Sequence, residues 1–251
     1  MITSRHNSKM KDMRRLRRCK DDRAVVEGPH LIEEAMAAGR VVEEIFVAPD
    51  APWGEHWRDA AGRPPTAVHE AVLRELADAD SPRGAVAIVH LPRAGLESLP
   101  PAAADGLVVY VDGLQDPSNL GALARVAEAA GAEALVLAPA TAHPNHPRAL
   151  RASAGSLLRL PVARRVAVAE TAAWTAAPWI ALATRGGSDL FRTKLPRCAV
   201  LALGSEGRGL SPEAENQAAY SVTIPLRPPV ESLNATVAAA LVLFEVAGRR
   251  G

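Results

Sequence analysis

One stretch constrains the fold of this chain more than any other. Residues 199–246 read AVLALGSEGRGLSPEAENQAAYSVTIPLRPPVESLNATVAAALVLFEV. Two short apolar runs, AVLAL and SVTI, each empty into a loop of small and polar residues. Runs of this length between turn signals predict strands of a parallel sheet, buried on both faces. In open α/β sheets ligands sit outside the carboxyl ends of the strands. Both loops fall at such ends, so they are the first place to look for a site.

The rest of the second half extends the pattern. LVVYV at 107–111, ALVLA at 134–138 and WIALAT at 179–184 read as further strands. A helix is expected from Asn119 to Ala130, closed by Gly131. A last helix is expected over 234–247. Strands alternating with helices predict an α/β fold with a parallel sheet covered on both faces. The first ninety residues hold helix-like HLIEEAMAAG and HEAVLRELADAD with strand-like VVEEIFVAPD and GAVAIVH, a smaller α/β unit. Residues 91–105, rich in Pro and Ala, separate the two as a linker. The expected domains are therefore 1–90 and 106–251.

Charge is unevenly distributed. The chain of 251 residues has a formal net charge of +1. Residues 1–20 alone carry Arg5, Lys9, Lys11, Arg14, Arg15, Arg17, Arg18 and Lys20 against the single acid Asp12. A basic arm on an otherwise mildly acidic chain marks a polyanion partner, or else a solvated helix face. Two cysteines, Cys19 and Cys198, form neither a disulfide framework nor a metal-ligand spacing. His143 and His146 flank a loop, and no metal site is expected. No apolar run approaches the roughly 20 residues of a membrane span. The opening residues are not a signal peptide, so a soluble cytoplasmic protein is expected.

Three loops carry candidate chemistry. The first, DGLQDPSNLGALAR at 112–125, places Asn119, Gly121 and Arg125 in N-x-G-x-x-x-R. An arginine in so apolar a helix is expensive to bury unpaired. It must meet water, a carboxylate such as Glu128 or Glu206, or a bound anion. The second, GSEGRG at 204–209, lacks the dinucleotide fingerprint and the P-loop Lys-Ser/Thr, which disfavours a dinucleotide-dependent oxidoreductase. It offers close backbone approach and one carboxylate, Glu206. The third ends in Glu231-Ser232-Leu233-Asn234, where Asn234 serves either as the cap of the last helix or as a ligand contact. That helix is apolar nearly all round and calls for cover on most sides.

Taken together, the three loops resemble the three motifs of the SpoU (TrmH-type) RNA ribose methyltransferases, in order and in spacing. The likeness covers Gly106 to the chain end. Residues 1–90, through ITSRHNSKMKDMRRL and EGPHLIEEAM, resemble more loosely the small RNA-binding domain that precedes it in many such enzymes. The resemblance implies a C-terminal domain with a deep trefoil knot, an obligate homodimer, and S-adenosylmethionine as cofactor. It implies cofactor contacts from Leu203, Gly204, Ser205, Gly207, Gly209, Ile224, Leu226, Ser232, Leu233 and Asn234. It implies methyl transfer to a ribose 2′-hydroxyl, on ribosomal RNA before transfer RNA. Arg125 is then the residue that activates or positions the hydroxyl, with Asn119, Glu206, Ser232 and Asn234 fixing substrate and arginine. A catalytically silent RNA-binding module is the competing class.

Overall fold

A computed structural model describes residues 1–4, 6–16, 22–51, 53–76, 84–92, 95–100 and 106–248. They fall into two compact units. One comprises Met1–Pro92 with His143–Arg159, the other Arg93–Ala142 with Leu160–Gly251.

The first unit carries a four-stranded sheet in the order β1-β4-β2-β3, from β1 (Arg23–Glu27), β2 (Val41–Val47), β3 (Thr66–Ala67) and β4 (Ala85–His90). β4 pairs antiparallel with both β1 and β2, and β3 adds in parallel to the end of β2. Helices α1 (Ser8–Leu16), α2 (Pro29–Ala37) and α3 (Glu70–Leu76) accompany it. Pro29 opens α2 with φ preset for the first turn. Gly39, at φ +65°, ends it, its N–H returning to the carbonyl of Met36.

The basic stretch is a working part of this core. Met10 and Met13 of α1 are fully buried, packed with Leu16 against Val25, Phe46, Val68, Leu73 and Ile88. The period of three apolar residues on a helix otherwise charged is what docks it. Removing a buried methionine side chain costs about 2–5 kcal/mol, transfer and cavity together. Met13→Ala should therefore lower the unfolding free energy of the first unit, read from a urea titration, by that amount. An unchanged midpoint would show that α1 lies outside the cooperative core.

The second unit is built on a sheet of seven strands, all parallel, in the order β7-β6-β5-β10-β8-β11-β9. In chain order come β5 (Leu107–Asp112), α4 (Pro117–Ala129) and β6 (Ala134–Leu137). The helical turns α5 (Pro147–Ala152) and α6 (Ser156–Arg159) belong to the first unit. Then follow β7 (Val162–Arg164), α7 (Val168–Trp174), β8 (Trp179–Leu182), β9 (Ser188–Asp189), β10 (Ala199–Gly204), α8 (Pro212–Gln217), β11 (Tyr220–Thr223) and α9 (Ala235–Ala247). β5 and β10 lie at the centre and are buried almost throughout, as their unbroken apolar runs require. One face is filled by Val108, Tyr110, Val136, Trp179, Val200 and Ala202. Tyr110 and Trp179 meet there with ring centroids 5.0 Å apart. Burial pushes the Tyr110 hydroxyl well above its ordinary pKa, and it donates to the carbonyl of Val166. It is packing, not a proton carrier.

α9 departs from its expected burial. Ala239, Val242, Leu243 and Val246 face inward, whereas Val237, Leu241 and Phe244, spaced four and three residues apart, form an exposed apolar stripe. An apolar circumference is thus half covered by the chain itself.

Candidate active site

Four loops gather at the carboxyl ends of β5, β8, β10 and β11. The loop after β10 is pinched shut. The N–H of Ser205 donates to the carbonyl of Gly209 at 3.1 Å, and that of Gly209 returns to Ser205 at 2.9 Å. The pinch explains Gly204: a Cβ there would overlap the backbone of Gly209 and Leu210. The far end is moored to β5. Asp112 Oδ2 accepts from the N–H of Ser211 at 2.8 Å, and Ser211 caps α8.

A chain of amide hydrogen bonds ties three of these loops together. Asn119 Nδ2 donates to Glu206 Oε1 at 2.6 Å. Asn234 Nδ2 donates to Asn119 Oδ1 at 3.1 Å. The Thr236 hydroxyl donates to the Asn119 carbonyl at 3.1 Å. Asn234 Oδ1 meanwhile accepts from the N–H groups of Thr236 and Val237. Asn234 is therefore both the cap of α9 and a link to α4; the sequence left those two roles as alternatives. Asn119 does not open its helix, as the sequence reading had it. Asp116 caps α4 through the N–H of Ser118, with Pro117 in the first turn. Asn119 sits one turn in, on the side that meets Glu206.

Beside this chain lies a cavity of about 580 Å³. Its walls include Leu203, Gly204, Ser205, Glu206, Gly207 and Gly209 from the pinched loop, and Ile224, Leu226, Ser232 and Leu233 from the loop before α9. Asn234 does not line it; its side chain is spent on the cap and on Asn119. Thr184, Arg185 and Gly186, in the loop after β8, form a wall that the sequence reading missed. The signal was present, since WIALAT is also a strand emptying into a loop. Arg185 reaches Glu231 at 4.0 Å, both highly exposed.

Arg125 is placed apart from these groups. It is exposed on α4 and takes no part in lining the cavity. Glu206, one carboxylate considered for it, is held by Asn119 instead. Six helical residues beyond Asn119 carry it about 9 Å along the axis and roughly 120° round from that side chain. Its guanidinium meets water, the outcome that avoids burying an unpaired charge. Ser232 is likewise exposed, at the cavity edge.

The basic residues of the first unit divide. Arg5, Arg17 and Arg18 lie outside the described residues. Lys9 pairs with Glu44, and Arg15 with Asp12 at 3.1 Å. Asp12 also accepts from Arg23 at 2.8 Å, and that guanidinium holds its carboxyl below the usual carboxylate range. Lys11 is exposed and Arg14 half-buried. Lys9 and Arg15 are thus partly neutralised within the fold, which an arm held out in solvent would not show. Among the described residues no cluster of His, Cys, Asp and Glu could hold a metal ion.

A parallel sheet whose carboxyl-end loops close over a small-molecule cavity defines an α/β domain that binds a cofactor or substrate at its strand ends. The chain belongs to the SpoU rRNA methylase family, whose model matches residues 106–244; residues 7–87 match the MRM3-like substrate binding domain. It is 29% identical to the 23S rRNA (guanosine(2553)-2′-O)-methyltransferase RlmP of Bacillus subtilis, over 98% of this chain and 99% of that protein. It superposes on the SpoU methyltransferase AviRb of Streptomyces viridochromogenes, solved with the cofactor AdoMet, with a TM-score of 0.86 and 27% identity over 98% of each chain. The AdoMet-bound rRNA methyltransferase of Sinorhizobium meliloti gives 0.84 and 26% identity, over 99% of this chain and 97% of that one.

Proposed function

We propose that this chain transfers a methyl group from S-adenosylmethionine to a ribose 2′-hydroxyl of ribosomal RNA. The observation that carries the reading is the Asn119–Glu206 and Asn234–Asn119 hydrogen-bond chain, which locks three loops beside a cavity of about 580 Å³. That volume falls in the range of small-ligand sites, roughly 300–1,000 Å³. The walls suit the cofactor: main-chain groups and apolar side chains for a flat base, with Glu206 and Glu231 for a cation. When bound, S-adenosylmethionine supplies a methyl group on a sulfonium, already a good leaving group.

The work left to the protein is to orient a poor nucleophile. Arg125 stays protonated at any ordinary pH. An exposed guanidinium grips a neighbouring phosphate in bidentate fashion and sets the hydroxyl in line. Asn119, Glu206 and Asn234 keep the loop geometry rigid, and Ser232 contacts the ligand at the cavity edge. The trefoil knot is part of this reading; membership of the SpoU family supports it. So is a cytoplasmic setting. Incubation with labelled S-adenosylmethionine and in vitro-transcribed 23S rRNA should yield one ribose-methylated nucleotide. Label on transfer RNA alone, or on neither RNA despite tight binding, would replace this reading with one of its two rivals.

A homodimer completes the proposal. The stripe Val237, Leu241 and Phe244 on α9 needs cover, and a two-fold contact is the commonest form of cover. α9 packs beside α4, the helix that carries Arg125. Phe244→Glu puts charge at the C-terminal end of that stripe, where Phe244 is 52% exposed in the single chain. The variant should sediment as a folded monomer with methyl transfer lost. A wild-type monomer of 26.4 kDa with full activity would remove the dimer from the account.

A further inference from the structure

The second unit carries a surface feature that none of the three loops uses. After the edge strand β9, residues 190–198 make a tight turn held from beneath. Leu190 and Leu195 are buried as anchors. Asp189 organises what lies between: its carboxylate accepts from the N–H of Phe191 at 2.9 Å, and its carbonyl accepts from the Thr193 hydroxyl at 2.6 Å and the Arg192 N–H at 3.1 Å. The turn so fixed holds Phe191 outward, 56% exposed. Arg192, Lys194 and Arg197 stand exposed around it. Arg192 leans on Asp189 at 3.5 Å, while Lys194 and Arg197 have no ion pair among the described residues.

We infer that Phe191, with Lys194 and Arg197, is a docking platform for an unpaired nucleotide of the RNA substrate. A lone exposed apolar residue needs no explanation. Here, however, the turn that carries the ring is fixed by two buried leucines and three hydrogen bonds to Asp189, and Lys194 and Arg197 beside it have no ion pair among the described residues. Aromatic faces bearing stacked bases, flanked by Lys and Arg on phosphates, are how single-stranded RNA is held. The position suits the task. Phe191 lies five residues beyond Gly186 in the cavity wall, so its Cα is within about 18 Å of that of Gly186. A second copy of this chain is a poor occupant, because a two-fold contact would set these cations against themselves. The inference rests on RNA being the substrate, and adds where the catalytic unit grips it.

The test uses the full chain and a labelled single-stranded RNA of about a dozen nucleotides, a length within the span such surfaces bind. Phe191→Ala should weaken binding about 5- to 100-fold, the usual yield of one lost base stack, with cofactor affinity and thermal midpoint unchanged. Phe191→Trp should restore it and Phe191→Leu should not. Lys194→Gln with Arg197→Gln should lower the slope of log K against log salt by roughly one to one and a half. An unchanged affinity for Phe191→Ala overturns the inference, as does full binding by Phe191→Leu, which would indicate a merely apolar contact. Wild-type protein that binds 23S rRNA but not the short strand also overturns it. Wild-type protein that binds neither refutes the RNA substrate itself, which separates the two failures.

Discussion

Replacing Gly204 by Ala is expected to abolish cofactor binding and to lower the thermal midpoint by about 6–12 °C, while Gly207→Ala, three residues on, leaves the midpoint where it was. The two glycines look equivalent in GSEGRG. In the folded loop they are opposites. A methyl group on Gly204 overlaps backbone atoms of Gly209 and Leu210, which cannot rotate away as a side chain tip would. A methyl group on Gly207 meets nothing within 4 Å. Forcing a methyl into a closed backbone contact costs about 3 kcal/mol. For a chain of this size that is about 6–12 °C, at 2–4 °C per kcal/mol. The alternative to unfolding is to open the pinch, which moves Glu206 off Asn119. Scanning calorimetry of both variants, with cofactor titrations, separates the positions. Equal midpoints for the two would mean the pinch is not needed for the fold.

The contrast also marks what could be read from sequence. Strands β5 and β10 were legible because a parallel sheet buried on both faces leaves unbroken apolar runs, and LVVYV and AVLAL are such runs; SVTI is not, since β11 lies next to the sheet edge and buries only Val222. β9 was not legible: two residues, Ser188–Asp189, pair only with β11 at the sheet edge and carry no apolar signal. α1 reads in the sequence as a basic arm or a solvated helix face, yet Met10, Met13 and Leu16 bury it in the core. Charge density on one face hid a three-residue apolar period on the other. The cavity-lining loops were legible as strand ends, yet the division of labour among their residues was not. Whether Asn234 caps a helix or reaches across to Asn119 depends on where two loops 115 residues apart meet, and no local pattern encodes that.

Arg125→Ala is expected to reduce methyl transfer by about 10²- to 10⁴-fold, the usual span for a group that orients or activates the reacting hydroxyl. Cofactor affinity and stability should hardly change. The physical basis is its isolation. Asn119, Glu206 and Asn234 support one another, so removing any of them loosens the loops and the cavity together. Arg125 is exposed, outside the cavity wall and free of Glu206. Truncating an exposed side chain of that kind changes stability by no more than about 0.5 kcal/mol. A large kinetic loss therefore cannot come through the fold. Arg125→Lys distinguishes the manner of action. A guanidinium fork on a phosphate is not replaced by an ammonium, so the lysine variant should remain far below wild type. Near-normal turnover in Arg125→Lys would reduce the role to a diffuse positive charge. Near-normal turnover in Arg125→Ala would remove the residue from the reaction, and leave its exposed guanidinium without a part in substrate positioning.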